Sequence, residues 1–426
     1  MQDRDRRALE AGSRRGVAAP RALAIIALAA MAVTGCAGRQ EVPGMAAAVS
    51  PVTEPAPPVP APALPLDAAV AELTGALLAP AAAPGGRVAV AIDPFIDQGT
   101  GTETEATRAV VARMAERVRR DLSAIGLLPL TPGTVNEQPL VLLGSLATEA
   151  GDAPPPGAFR LRAVLADLRT GRILRAATAR VGAGEIDTTL APFFRDSPGW
   201  LPDEAAAAYL RTVNAGAGQF VDPLYRQAIL VQALVAEGMV AYEAGRYAEA
   251  YENYSRAGQL PGGDQMRVYN GVYLATRALG RPGDAEVAFG RIVEFGLRHG
   301  RLSIRFLFPP GSTALLPTVG AGDTNRVWLR QVAQQASERG ACLELTGHAS
   351  PTGSAAANER LSLARAEALR ARLVAIRPEL RDRIRAIGLG ARNPLVGTGA
   401  DNASDVLDRR VEIEPVSCGT FPNGLL

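Results

Sequence analysis

The sequence is 426 residues long, 47% hydrophobic and 21% charged. That is enough apolar material for two or three cored domains, which excludes a wholly disordered chain. All 45 basic residues are arginine, and 43 acids offset them to a net charge of +2, without the basic excess of a nucleic-acid-binding protein. Two histidines and three cysteines are too few for a multi-ligand zinc site or repeated histidine chemistry.

Residues 1–21 carry Arg4, Arg6, Arg7, Arg14, Arg15 and Arg21 against Asp3, Asp5 and Glu10, and an uncharged apolar run, Ala22 to Gly35, follows. The run is shorter than the roughly 20 residues of a membrane-spanning helix, and a basic start before a short apolar stretch marks a secretory signal. It closes on Val33-Thr34-Gly35-Cys36, which resembles the lipobox of bacterial lipoproteins. The resemblance implies a signal peptide over 1–35, cleavage before Cys36, and a diacylglyceryl group on its thiol. Ala37 in the next position implies sorting to the outer membrane, on its periplasmic face. Residues 36–84 then form an acylated tether, because Pro51, Pro55, Pro57, Pro58, Pro60, Pro62 and Pro65 favour an extended path of about 3.1 Å per residue. Within it, Leu66 to Leu78 reads either as a short helix or as more linker.

Three folded segments follow, predicting a multidomain α/β plus all-α protein. The first, 85–200, is a small α/β domain. Arg87 to Ile92 is a buried strand, bounded by Gly85-Gly86 and Pro94. Val110, Met114, Val118, Leu122 and Ile125 recur with helical spacing. Leu140 to Leu146 is a second apolar strand, and Thr170-Gly171 turns the alternating run from Phe159 to Leu165 into a strand over Arg172 to Val181. Asp93 and Asp97 read as turn formers rather than metal ligands. This order and the hairpin from Asp167 to Ile173 resemble the small α/β domain of curli-secretion lipoproteins and the TolB amino-terminal domain.

Residues 201–300 are helical and repetitive. Gly245-Arg246-Tyr247 precedes Ala250 and Tyr254, and 35 residues later Gly280-Arg281-Pro282 precedes Ala285 and Phe289. With Gly238, Ala257 and Pro261, the pattern resembles the tetratricopeptide repeat. Two copies are fewer than the three a free stack needs, so the flanking helices, Asp203 to Thr212 and Pro223 to Gln232, are expected to cap it. The repeats are either a groove for an envelope protein or a spacer between neighbours.

Residues 301–421, before a tail at 422–426, carry five ordered blocks. They are Phe308 with Gly311-Ser312, a helix near Thr324 to Arg339, Leu343 to His348, the stripe Asn358, Leu361, Ser362, Arg365, Ala366 and Leu369, and Ile384 to Gly390 with Asp408 to Ile413. Asn358, Ser362 and Arg365 share one helix stripe. A helix start favours an anion, and arginine can hold a carboxylate with two hydrogen bonds. The blocks resemble the OmpA-like, peptidoglycan-associating α/β domain. In that family a loop aspartate takes the ammonium group of the diaminopimelate stem peptide, and the arginine takes its carboxylate. Here Ser350 stands in the aspartate position, and Ala349 to Ala357 holds no acid. A charge-assisted hydrogen bond contributes roughly 1.5–3 kcal/mol, about ten- to a hundred-fold in affinity, so the resemblance implies a weakened pocket of Ser350, Asn358, Ser362, Arg365 and Arg409.

His348 reads as structural. No catalytic motif accompanies either histidine, and no enzyme, metal or cofactor is expected. Cys342 opens one strand and Cys418 follows the last. If those strands are antiparallel neighbours the cysteines meet; if parallel they lie a strand apart, so a disulfide and two free thiols both stand open. The expected protein is a periplasm-facing outer-membrane lipoprotein that touches peptidoglycan. The alternative is an envelope scaffold that recruits protein partners without binding the wall.

Overall fold

Short runs rich in apolar residues, most of them closed by glycine, proline or aspartate, become the strands of two sheets. The computed structural model describes residues 62–79, 87–149, 157–200, 202–302, 304–317, 324–395, 399 and 404–420, so the signal segment, Cys36 and the tail lie outside it. All described residues belong to one unit, 60–426.

The first element corrects the extent of the tether. Helix α1 (Leu66–Leu78) buries Leu66, Ala69, Val70, Leu73, Leu77 and Leu78, a stripe of helical spacing that faces one way. Each large side chain gains roughly 1.5–3 kcal/mol from burial. The helix lies on β5 (Ala158–Asp167), β6 (Arg172–Gly182) and α2 (Glu105–Asp121). Leu64 bridges Val181, and the Leu66 N–H donates to Glu185 at 2.9 Å. Residues 64–78 are therefore part of the folded protein.

The first sheet has the order β3-β1-β4-β5-β6. Strand β1 (Val88–Ile92) runs parallel to β3 (Ile125–Pro129) and β4 (Leu140–Thr148), β2 (Ile96–Asp97) pairs with β4, and β4, β5 and β6 are antiparallel. The helix expected to reach Ile125 stops at Asp121. Leu122 to Ala124 turn the chain, and Ile125 opens a strand that the sequence reading missed. Ile-Gly-Leu-Leu-Pro is a short apolar run whose helical spacing from Val118 is coincidental, and its neighbour β1 decides the matter.

Helices cover both faces of this sheet. Helices α1 and α2 pack on one face. The other carries α5 (Glu204–Asn214) and α6 (Pro223–Gln227), through Tyr209, Val213 and Tyr225 against Ile96, Val141, Leu143 and Val164. This corrects the capping expectation: the flanking helices cover the sheet rather than the repeats. A break at Ala228 separates α6 from α7 (Ile229–Glu243). Two short helices, α3 (Pro132–Glu137) and α4 (Pro192–Asp196), complete this part.

Helix α7 pairs with α8 (Tyr247–Gln259), and α9 (Met266–Ala278) with α10 (Pro282–Arg298). Tyr254 is the wedge between them. A Cβ on Gly238 or Gly271 would stand 2.9 or 2.4 Å from its ring, so only glycine admits the tyrosine there. At one end Phe193 of α4 stacks on Tyr254 at 5.8 Å. At the other, α11 (Thr324–Glu338) lies on α10, with Trp328 stacked on Phe289 at 5.0 Å and its Nε1 donating to the Tyr273 hydroxyl at 3.0 Å. The helix pairs are thus closed by the elements before and after them.

Helix α11 also belongs to the second sheet, whose order is β7-β10-β8-β9. Strand β10 (Arg410–Val416) is antiparallel to β7 (Ile304–Leu307) and β8 (Cys342–Gly347), and β8 is parallel to β9 (Ile384–Gly388). Helices α11 and α12 (Ala355–Ile376) pack together on it. One continuous core runs from Phe193 through Tyr254, Phe289 and Trp328 to Leu369 and Ile413. Among the described residues no helix is long and apolar enough to cross a membrane.

Candidate functional site

Helix α12 sits unusually close to its sheet, and two glycines allow it. A Cβ on Gly347 would stand 1.9 Å from the Ser362 carbonyl oxygen, and one on Gly388 would stand 2.8 Å from Ser362 Oγ. The helix starts at Ser354, whose Oγ accepts the Ala357 N–H at 3.2 Å. Asn358, Ser362 and Arg365 lie on its buried side. Ser362 is fully enclosed: its Oγ donates to the Glu359 carbonyl and accepts the Gly390 N–H, each at 2.9 Å.

Arg365 is completely buried. Its Nε donates to the Ser312 carbonyl at 2.9 Å, Nη1 to His348 at 3.1 Å and Nη2 to Pro309 at 2.9 Å, and its guanidinium carbon lies 5.4 Å from the Phe308 ring centre. Arg409 Nε donates to the Phe308 carbonyl at 3.2 Å. Two arginines therefore hold the loop after β7, through carbonyls that no side-chain pattern could reveal. Ser350 Oγ lies 3.4 Å from Thr352 Oγ1, and Ser350 and Asn358 are 5% and 8% exposed. Asp408 precedes β10 and accepts the Leu395 N–H at 2.5 Å. Ser350, Asn358, Ser362, Arg365 and Arg409 thus gather at one end of the second sheet, where β8 and β9 finish and β10 begins.

His348 and Glu412 were not linked by sequence reasoning. His348 is buried, with Nε2 3.7 Å from Glu412 Oε2, an ion-pair rather than a hydrogen-bond distance. Glu412 also accepts from Arg410 Nε at 2.8 Å. Burial opposes its ionisation, but His348 and Arg410 outweigh burial and hold the carboxyl at about 2. Its stabilising contribution is complete above pH 4.5 and is lost as the pH falls through 2. The pairing of Cys342 with Val416 in the antiparallel ladder brings Cys418 beside Cys342. The Cα atoms are 5.2 Å apart and the sulfurs are bonded at 2.08 Å. Asp97 forms a turn as expected, Oδ1 accepting the Gly99 and Thr100 N–H groups at 3.0 and 2.8 Å. Among the described residues no three His, Cys, Asp or Glu side chains converge where a metal ion could sit.

The second sheet with α11 and α12 is a two-layer α/β domain whose polar, arginine-centred cluster lies at one sheet end. Residues 307–406 match the OmpA family, and this part of the chain is an OmpA-family domain. Among solved structures, the peptidoglycan-associated lipoprotein from Burkholderia pseudomallei is 24% identical, over 26% of this chain and 89% of that one, with a TM-score of 0.22. The cell wall anchor of the T6SS from Pseudomonas aeruginosa is 20% identical, over 30% and 96%, with a TM-score of 0.23. The periplasmic domain of Helicobacter pylori MotB is 15% identical, over 26% and 70%, with a TM-score of 0.20. No curated protein matches the chain.

Proposed function

We propose that the chain is an outer-membrane lipoprotein whose OmpA-family domain associates non-covalently with peptidoglycan, joining membrane to wall. The observation that carries this reading is the family match over 307–406, together with the gathering of Ser350, Asn358, Ser362, Arg365 and Arg409 at one sheet end. Arg365 and Arg409 provide fixed positive charge beneath a polar rim of Ser350 and Asn358, which suits the carboxylate of a diaminopimelate stem peptide. For the ammonium end of that zwitterion the loop from Ala349 to Ala357 offers the Ser350 hydroxyl and no acid, so the interaction is weak. The helix pairs carry the repeat resemblance and act as the spacer between the two sheets.

Co-sedimentation of the full chain with purified sacculi tests this. Ser350→Asp restores an acid to the rim and is expected to raise retention about ten-fold or more, with an unchanged melting curve. Ser350 also favours the second reading, a scaffold that recruits partners and leaves the wall alone. Sacculi that retain neither the parent nor Ser350→Asp would support that reading instead. The lipid anchor is tested separately. Metabolic labelling with a fatty-acid analogue is expected to mark the parent and fail for Cys36→Ala, and equal labelling of both would rule the anchor out.

A further inference from the structure

The seam between the first sheet and the helix pairs holds ionisable groups that the wall-binding reading does not use. Asp93 follows β1 and Glu103 precedes α2, at the carboxyl ends of the parallel strands. There β3 and β4 diverge to either side of β1, the position where open α/β sheets form a crevice. Here helices fill that crevice. Asp93 Oδ2 accepts the Tyr225 hydroxyl of α6 at 2.7 Å, and the Tyr209 hydroxyl of α5 donates to the Pro94 carbonyl at 2.9 Å. Glu103 Oε2 lies 3.5 Å from Arg108 Nε of α2, and Arg108 also pairs with Glu243 of α7. Arg267 of α9 donates to Gln232 of α7 and its charge acts on both acids, while the charges of Glu103 and Glu243 act on the Tyr254 hydroxyl of α8. Asp93, Glu103 and Arg267 are all buried.

The cluster therefore sets three carboxyls against two guanidiniums. Its neutral groups do little to spread the excess, since Gln232 Nε2, Tyr254 Oη and Asn270 Oδ1 are buried without protein partners, as is Nε of the Arg267 guanidinium. A buried unbalanced carboxylate is costly, and binding a proton is the cheapest relief. We propose that this seam is a proton-linked joint, closed when Asp93 or Glu103 holds a proton and loosened when both carboxyls are ionised.

The titration supports the geometry. Burial pushes Asp93 up to about 6, against the Tyr225 hydrogen bond and Arg267, and pushes Glu103 up to about 7, against Arg108. Both values lie above those of the unfolded chain, so the stability they carry is complete at acid pH and is lost as the pH rises through 6 and 7.

The thermal midpoint of the full chain is expected to fall by roughly 5 °C between pH 5 and 8. Glu103→Gln keeps the shape of the protonated acid and is expected to remove most of that fall and to melt above the parent at pH 8. His299 and His348 are common to both proteins, so the comparison cancels them. A parent midpoint that does not fall, or a fall that Glu103→Gln leaves intact, overturns the proposal. Should that variant fail to fold, hydrogen exchange of the parent decides. Protection factors over 103–108 and 265–270 are expected to drop about ten-fold or more from pH 5.5 to 8, and equal protection at both overturns the joint.

Discussion

Arg365→Ala is expected to destabilise the OmpA-family domain by roughly 3–5 kcal/mol. The guanidinium is fully buried and supplies donors to Ser312, His348 and Pro309 through three different nitrogens. Alanine leaves those carbonyls without these donors in a space water enters with difficulty, at about 1–3 kcal/mol for each group left unsatisfied, and it empties the volume under Phe308 as well. Arg365→Lys should lose an intermediate amount, because one ammonium nitrogen cannot reach acceptors that the planar fork meets on separate sides. Urea unfolding of the full chain, followed by fluorescence, measures this. Trp328, in α11, reports on the domain directly. Stability within about 1 kcal/mol of the parent would show that the loop after β7 does not depend on this arginine. The same geometry bears on any binding assay: Arg365→Ala can lose sacculus retention by unfolding alone, so Ser350→Asp is the more informative change.

Removing the bridge by Cys342→Ser with Cys418→Ser is expected to cost about 4 kcal/mol. The two cysteines are 76 positions apart, and the chain-entropy model gives that figure for a loop of this length before strain. Structurally, the bridge closes the far end of the β8–β10 ladder, where Cys342 pairs with Val416. Because β10 lies between β7 and β8, fraying of that end would release the strand that joins both sides of the sheet. Unfolding with and without reductant should separate the midpoints of the parent but not of the double variant. Thiol titration of the unfolded, unreduced protein from an oxidising compartment should find neither Cys342 nor Cys418 reactive, and two reactive thiols from this pair would overturn the bridge. Arg365 and the disulfide act at opposite ends of β8, six residues long and so roughly 15–20 Å apart. Their effects are expected to add.

The arginine-centred cluster and the bridge were not equally legible in the sequence. The stripe Asn358, Ser362 and Arg365 is a matter of helical spacing, which holds wherever the helix is placed. Its inward orientation depends on Gly347 and Gly388, whose lack of side chains lets α12 descend onto the sheet. That Arg365 meets backbone carbonyls was invisible, since every residue carries a carbonyl and only the tertiary fold brings two from the loop after β7 and one from the end of β8 to one guanidinium. Strand β3 was hidden for a different reason. Its short apolar run continues the spacing of α2, and two periodicities can overlap over five residues.

By itself, the sequence determined the properties that depend on near neighbours along the chain. These are the basic, apolar and cysteine order of residues 1–36, the helical stripes of α2 and α12, the hairpin at Asp167 to Ile173, and the five blocks of the OmpA-family domain. Tertiary structure decided what depends on distant partners. It folded Leu66–Leu78 onto the sheet, moved α5 and α6 from the repeats to that sheet, and let α11 close the helix pairs. It also made β8 and β10 antiparallel, so that Cys342 and Cys418 meet. The physical reason is that an apolar stripe or a strand end specifies that it must be covered or paired, whereas the choice of partner follows from the burial and hydrogen bonding of the whole chain.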